Sequence, residues 1–260
     1  YLLRSLESLV QPCEEYSVAL VDDGSNERIA LLCRKFAAEH QDKFVYLRQE
    51  NAGQNAARNR GWRFLSARYT MFVDSDDLLA DGAINLIVSI LKDNQPDIAM
   101  FSIKFCSDIS LGIPAVAANV QVEESKVSKD RLLSEHCSVC ASAIATHLLD
   151  RVPLAEGFRI GEDFASIFPL LVSANRIMRF DIPIYGYIMR NASATKNADY
   201  KYALHIIHAF EHLEGLGDFS RWREEVEWQA IKHLLYWEPM RLIVSGQGTY
   251  ESKQVLYDYM

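Results

Sequence analysis

The sequence predicts an α/β protein with a doubly wound, mostly parallel sheet and a helical C-terminal extension, and three observations carry that prediction. Short apolar and β-branched runs alternate with helix-period stretches from the start to about residue 105. Polar turns rich in Asp and Asn stand at the ends of the apolar runs, where an open α/β sheet presents its ligand crevice. From Tyr200 onward the chain turns helical and aromatic, with Trp222, Trp228, Tyr236 and Trp237.

Each element has its own warrant. Leucines at 2, 3, 6 and 9 make a helical stripe over 1–10, and Pro12 stops it. Residues 15–21 (EYSVALV) form a strand that ends on Asp22-Asp23-Gly24-Ser25. Ser25 or Asn26 caps the next helix, whose buried stripe is Ile29, Leu32, Cys33, Phe36 and Ala37. Residues 43–48 (KFVYLR) are a second strand, and Asn51-Ala52-Gly53-Gln54-Asn55 is a polar turn into a helix carrying Arg58, Asn59 and Trp62. The run 69–73 reads as a buried strand, 82–92 as a helix and 97–105 (DIAMFSIKF) as another strand. Beyond 106 the pattern loosens. Short β-like pieces fill 107–127, Ser128 caps a short helix, and 141–150 is ambiguous. A helix follows over 162–174 with a kink at Pro169, then one or two strands over 176–187. A sheet of this kind normally opens on a strand, whereas this chain opens on a helix, so a first strand is expected to be missing from it.

Composition narrows the function. The 260 residues carry a net charge of -8, which argues against a nucleic-acid backbone as the main partner. A nucleotide stays compatible, because a metal can supply positive charge locally. No apolar run approaches the ~20 residues that a bilayer span needs, and nothing reads as a signal peptide. Five cysteines form no framework pattern, which points to a reducing, cytoplasmic setting. The aromatic tail reads either as core or as a peripheral contact with a membrane that presents lipid-linked acceptors.

The densest chemistry is Asp74-Ser75-Asp76-Asp77, at the end of the strand over 69–73. Carboxylates this close repel one another, and burying them unpartnered is costly. A divalent cation or full solvation relieves that, and a strand end in an α/β sheet favours the cation. Read alone, the run equally suits a solvated acidic turn. Asp22-Asp23 alone suits a turn and helix cap, Arg58 a surface helix, and Glu162-Asp163 the acidic first turn of a helix. Cys137-x-x-Cys140 has redox or zinc spacing but no second pair, and His205, His208 and His212 share a helix face with no carboxylate or Cys partner nearby. Asn191-Ala192-Ser193 fits a glycosylation acceptor that a cytoplasmic protein would not use.

Six motifs stand in one order: Asp22-Asp23-Gly24-Ser25, Asn51-x-Gly53, Ala57-Arg58-Asn59-x-Gly61, Asp74-Ser75-Asp76-Asp77, Glu162-Asp163 and Tyr185-x-Tyr187-x-x-Arg190-x-x-Ser193. Together they resemble the family 2 inverting glycosyltransferases of the GT-A fold, particularly bacterial enzymes of capsular or exopolysaccharide synthesis. The resemblance covers residues 1–197, a nucleotide-sugar-binding half over 1–105 and an acceptor-side half over 106–197, and leaves 198–260 as a helical extension. It implies a nucleotide-diphosphate sugar donor, usually a uridine diphosphate sugar, a divalent cation (Mn²⁺ or Mg²⁺), and a saccharide or lipid-linked acceptor. By motif position it implies Asp23 at the base with Asp22 beside it, and Arg58 near the nucleotide and its diphosphate. Asp74, Ser75 and Asp76 match the Asp-x-Asp motif at ribose and metal, with Asp77 next to them. Asp163 matches the general base, and Glu162 precedes it. The stretch 138–147 lacks the aromatic and Lys residues often seen on the acceptor side, which leaves acceptor identity open.

That reaction needs these residue types. Breaking an anomeric C–O bond leaves charge on a diphosphate, which a metal and a fixed cation can neutralise. The acceptor hydroxyl must lose a proton as it attacks, and a carboxylate on the far face of the sugar can take it, with inversion. Two other classes compete. An aspartyl-nucleophile phosphohydrolase also uses Asp-x-Asp after a strand, but Leu78 stands where its motif continues with Thr or Val, and a calcium loop fails because Leu79 occupies the Gly position. An inactive or truncated nucleotide-sugar-binding module is the third reading.

Overall fold

A computed structural model of the chain describes residues 1–107, 112–117, 120–135, 138–158, 161–189, 201–216 and 219–233. Cys137, Arg190, Asn191, Ala192, Ser193, Tyr236 and Trp237, singled out above, lie outside the described residues.

The first half alternates as its pattern dictates. Helix α1 (Leu2–Ser8) leads to strand β1 (Val18–Asp23), helix α2 (Glu27–Glu39), strand β2 (Phe44–Gln49) and helix α3 (Gln54–Phe64). Asn26 is the cap of α2, accepting from the Ile29 N–H at 3.1 Å, and the buried face is Ala30, Cys33, Phe36 and Ala37. Gly61 lets α3 lie close on β1: a Cβ there would stand 3.2 Å from the Val21 side chain. Strands β3 (Tyr69–Met71) and β4 (Leu78–Leu79) flank the acidic turn, followed by helix α4 (Ala83–Asn94) and strand β5 (Ile98–Cys106).

The second half adds helix α5 (Lys129–Glu135), strand β6 (Ser142–Ala145), helix α6 (Thr146–Arg151), helix α7 (Glu162–Ser173) and strand β7 (Ile177–Ile188). Pro169 sits inside α7. Helices α8 (Lys201–Gly215) and α9 (Arg223–Ala230) close the described chain, with a 3-10 turn (Phe219–Trp222) between them. Ile207, Phe210, Leu213 and Val226 enter the same core as the sheet, and the Phe210 ring stands 4.7 Å from that of Phe164 on α7. Among the described residues no helix is long and apolar enough to cross a membrane.

The α/β class holds, but the sheet is mixed rather than mostly parallel. Strands β1 and β2 pair parallel as a separate ribbon, and the larger sheet has the order β3-β6-β5-β7-β4. There only β5 and β7 run parallel; β6 runs back between β3 and β5, and β4 pairs antiparallel with β7. Sequence alternation missed this because β6 is four buried residues, Ser-Ala-Ile-Ala, with no period to read, and β4 is a two-residue edge. The β5–β7 register shifts around Ser102, which stands opposite Pro183, where the ladder lacks an N–H.

Between β1 and β3 runs a cleft of about 1010 Å³, lined along its length by Leu6, Ala19, Val21, Phe72, Ile87 and Leu91. Among the described residues no strand pairs with the β1 and β3 edges that face it. Its polar end holds the carboxylates of both acidic turns.

Candidate active site

The first acidic turn is a closed network. Asp22 is buried, and its Oδ1 accepts from the Ser25 N–H (2.8 Å) and Ser25 Oγ (2.5 Å), its Oδ2 from Tyr46 Oη (2.7 Å). Burial alone would raise its pKa, but these bonds and the Arg48 charge bring it below the usual carboxylate range. Asp23 accepts from Gln49 Nε2 (2.8 Å) and from the backbone N–H groups of Ala52 (2.8 Å) and Gly53 (2.9 Å). Gly24, at φ 75°, makes this possible: a Cβ there would sit 2.7 Å from the Asn51 nitrogen. Asp22 therefore fixes its own turn against β2, and Asp23 fixes the loop that leads into α3, on the rim of the cleft.

Arg58 joins the second acidic turn to α7. Its Nη1 donates to Asp163 Oδ1 (2.6 Å) and Asn55 Oδ1 (3.0 Å), and its Nη2 donates to Asp74 Oδ1 (2.8 Å). Its side chain is only 8% exposed, against 24% for each carboxylate. Burial works against its charge, yet Asp163 and Asp74 raise its pKa further above an already permanent cation. The resemblance implies this guanidinium near a diphosphate; here its N–H groups are taken by two carboxylates, Asp74 and Asp163. Asp163 also accepts from Ser138 Oγ at 3.0 Å. Burial, reinforced by the Asp74 charge, moves Asp163 above its ordinary range while Arg58 and Ser138 pull it back. Glu162, beside it at the first turn of α7, is pushed up to about 7 by burial and by the Asp163 charge.

The strand-end carboxylates divide. Asp74 Oδ1 also accepts from Gln54 Nε2 (2.7 Å), and among the described residues its Oδ2 accepts no hydrogen bond. Ser75 is exposed and Asp76 half-buried. Asp77 is 2% exposed, and its oxygens accept from Tyr185 Oη (2.8 Å) and the Ile188 N–H (2.8 Å). Asp77, expected beside the metal ligands, ties the turn to β7 through these bonds, and Tyr185 Oη accepts in turn from the Asp74 N–H at 3.1 Å. Among the described residues no three His, Cys, Asp or Glu cluster to hold an ion unaided. Asp74 and Asp76 suit the mode in which one or two carboxylates hold Mg²⁺ or Mn²⁺ and phosphate and water complete the shell.

Several side chains that hold this arrangement together were not given a site role from the sequence. Asn55 and Asn59 are buried one turn apart on α3. Asn55 Nδ2 reaches the Ala155 carbonyl (2.8 Å), the Glu162 carbonyl (3.1 Å) and Ser166 Oγ (2.9 Å). Asn59 Nδ2 donates to the Leu154 carbonyl (2.8 Å) and Glu156 Oε1 (2.7 Å), while its Oδ1 accepts from Trp62 Nε1 (3.0 Å). With Arg58 they dock the segment that carries Glu162 and Asp163. Two Asn at i and i+4 on a helix face that also carries Trp62 was the available signal. Tyr185 opened the sixth motif without a role assigned to it, and Ser138 gave no signal.

Comparison with known proteins follows from this geometry. The profile of the family described as "Glycosyl transferase family 2" matches residues 1–146. Among curated proteins, the chain is 27% identical over 192 residues to the minor teichoic acid biosynthesis protein GgaB of Bacillus subtilis, covering 68% of this chain and 20% of that one. It is 35% identical over 101 residues to the glycosyltransferase GlyA of Streptococcus pneumoniae, covering 38% of this chain and 14% of that one. The chain thus matches a fifth or less of the length of these relatives. Among solved structures, S. aureus TarS 1–349 in complex with UDP-GlcNAc superposes with a TM-score of 0.75 at 17% identity, covering 100% of this chain and 75% of that one. TarS 1–349 in complex with UDP gives 0.63 at 19% identity, covering 89% and 68%. The curled mixed sheet is that of a GT-A glycosyltransferase. With its profile matched over more than half of its residues, the chain belongs to glycosyl transferase family 2.

Proposed function

We propose that this protein transfers a sugar from a nucleotide-diphosphate donor, of the uridine diphosphate type, to a hydroxyl of a saccharide or lipid-linked acceptor in bacterial cell-surface polysaccharide synthesis, with inversion. One observation carries the reading. A single buried guanidinium, Arg58, holds Asp74 of the strand-end turn and Asp163 of α7 at once. A group for the leaving diphosphate and a group for the incoming hydroxyl therefore face one small volume. The relative GgaB, named for teichoic acid biosynthesis, and the TarS structures holding UDP-GlcNAc and UDP support the donor class and the setting.

In this scheme Asp23 and the loop it fixes border the nucleoside end of the donor. Asp74 and Asp76 would hold the divalent cation, which when bound offsets the charge of the diphosphate leaving group. Asp163 accepts the acceptor's proton on Oδ2 as the acceptor oxygen bonds to the anomeric carbon and the bond to the diphosphate oxygen breaks. Arg58 and Ser138 hold that carboxylate in place. Such a base contributes about 10²–10⁴ in rate. Family membership leaves the phosphohydrolase and calcium-loop readings without support.

Isothermal titration of UDP with and without Mn²⁺ tests the donor half. Mn²⁺-dependent binding that Asp76→Ala abolishes is the expected result. The absence of binding under both conditions rejects the uridine assignment. Asp163→Asn should then lower kcat by about 10²–10⁴ while UDP still binds.

A further inference from the structure

Strands β5 and β7 end on a pair of aromatic rings that the scheme above does not use. Phe105 and Tyr187 stand opposite each other in the parallel register, and their ring centroids are 5.5 Å apart at 62°. Phe105 is 65% exposed and Tyr187 36%; Met189, just beyond, is 49% exposed. A single exposed Phe needs no account. Two rings in contact, set at an angle and left open, form a corner.

Position gives the corner its meaning. Ile103 pairs with Tyr185 one pleat earlier, so Tyr185 and Tyr187 share one face of the sheet. Tyr185 points its hydroxyl at Asp77 and the Asp74 N–H, which places the corner about 6.6 Å further toward the strand ends on the face of the catalytic carboxylates. Burial raises the pKa of the Tyr187 phenol, and the charges of Asp77, Asp74 and Asp163 raise it further. The opposite face at this point is filled by Leu78, Cys106, Ile188 and Ile113, so the rings cannot belong to that core.

We propose that Phe105 and Tyr187 select the acceptor, and that the unit they take is an uncharged pyranose ring. This rests on the transferase reading of the adjoining carboxylates. Aromatic faces carry partial negative charge, and a pyranose offers a flat patch of C–H hydrogens polarised by its oxygens. One ring lies against that patch and the other walls its edge, leaving the hydroxyls free to reach Asp163. A polyol phosphate offers no flat face, and its anion would enter the field of Asp77, Asp74 and Asp163, whose charges reach Tyr187.

Saturation-transfer NMR on the full chain tests the proposal, with the methyl β-pyranosides of glucose, galactose and N-acetylglucosamine as probes and ribitol 5-phosphate as comparator, in the absence and presence of UDP and Mn²⁺. The expected result is saturation of at least one pyranoside, reduced fivefold or more by Phe105→Ala and by Tyr187→Ala and retained in Phe105→Trp. Both alanine changes lie at open positions, and an unchanged circular dichroism spectrum will show that the fold persists. No pyranoside signal in either condition, or a signal that neither alanine variant lowers, overturns the proposal. Ring-dependent saturation of ribitol 5-phosphate alone overturns it as well. So does flotation of the protein with phosphatidylglycerol vesicles that Phe105→Ala abolishes, which would assign the rings to a lipid surface. Pyranoside binding without any UDP binding would reject the donor reading and leave the corner standing as a sugar site. In turnover, Phe105→Ala should raise the acceptor KM about tenfold and the donor KM less than twofold.

Discussion

Arg58 is the residue whose loss should be felt most widely, because removing one partner of a buried ion pair leaves the other uncompensated. With both carboxylates a quarter exposed, Arg58→Met should destabilise the fold by about 3 kcal/mol at neutral pH. Urea unfolding will show it, and the deficit should shrink as the pH falls and the carboxylates protonate. Glu162 makes a prediction of the opposite sign. It titrates near 7 in the fold against 4.5 for the free group. Between those values the folded state holds a proton that the unfolded state has released, so stability falls as the pH rises through that window. The full shift corresponds to on the order of 3 kcal/mol. Glu162→Gln should therefore gain stability relative to the parent at pH 7.5 and show little difference at pH 4.5, measured by urea unfolding at both. At this scale the sequence was legible where like charges crowd, as at Asp74 to Asp77, since crowding demands an explanation whatever the fold. It could not say which carboxylate faces the cleft and which faces β7, because adjacent residues on a tight turn diverge by geometry that composition does not encode.

The element that organises the site is α3, whose Asn55, Arg58 and Asn59 all reach toward the segment over 154–166. Asn55→Leu leaves the carbonyl of Ala155 short of a donor while that of Glu162 keeps Ser166 Oγ, and a buried group so stranded costs about 1–3 kcal/mol. The expected outcome is a Tm several degrees lower together with a loss of kcat exceeding what the instability explains, since α7 no longer presents Asp163 in register. Gly24→Ala should fail for a different reason: φ 75° and the 2.7 Å approach to Asn51 force the loop away, and UDP affinity should drop with it. Elements with a period were readable from the chain, as α2 and α4 show with their buried stripes. Strand β6 was not, because four small or buried residues fit a helix as well as a strand, and the partners that decide between them are distant in sequence.

For the whole molecule, alternation of strands and helices was enough to fix the α/β class, whereas strand direction was not, because direction depends on where the long stretch between β5 and β6 lands. Arg58, Asp74 and Asp163, drawn from three motifs that no periodicity links, meet in the fold through two ion pairs. The cleft between β1 and β3 has a consequence for solution behaviour. Two rows of main-chain N–H and C=O groups face each other across an apolar slot, which makes the slot a receptor for any extended segment of suitable alternation. Fusing a Val- and Ile-rich strand ahead of Tyr1 should raise the Tm, and a Gly-Ser segment of equal length should not. The same zipper would weld the ribbon bearing Asp23 to the sheet bearing Asp74, and grip on a nucleotide that touches both would then become a mechanical property of backbone pairing rather than of any side chain.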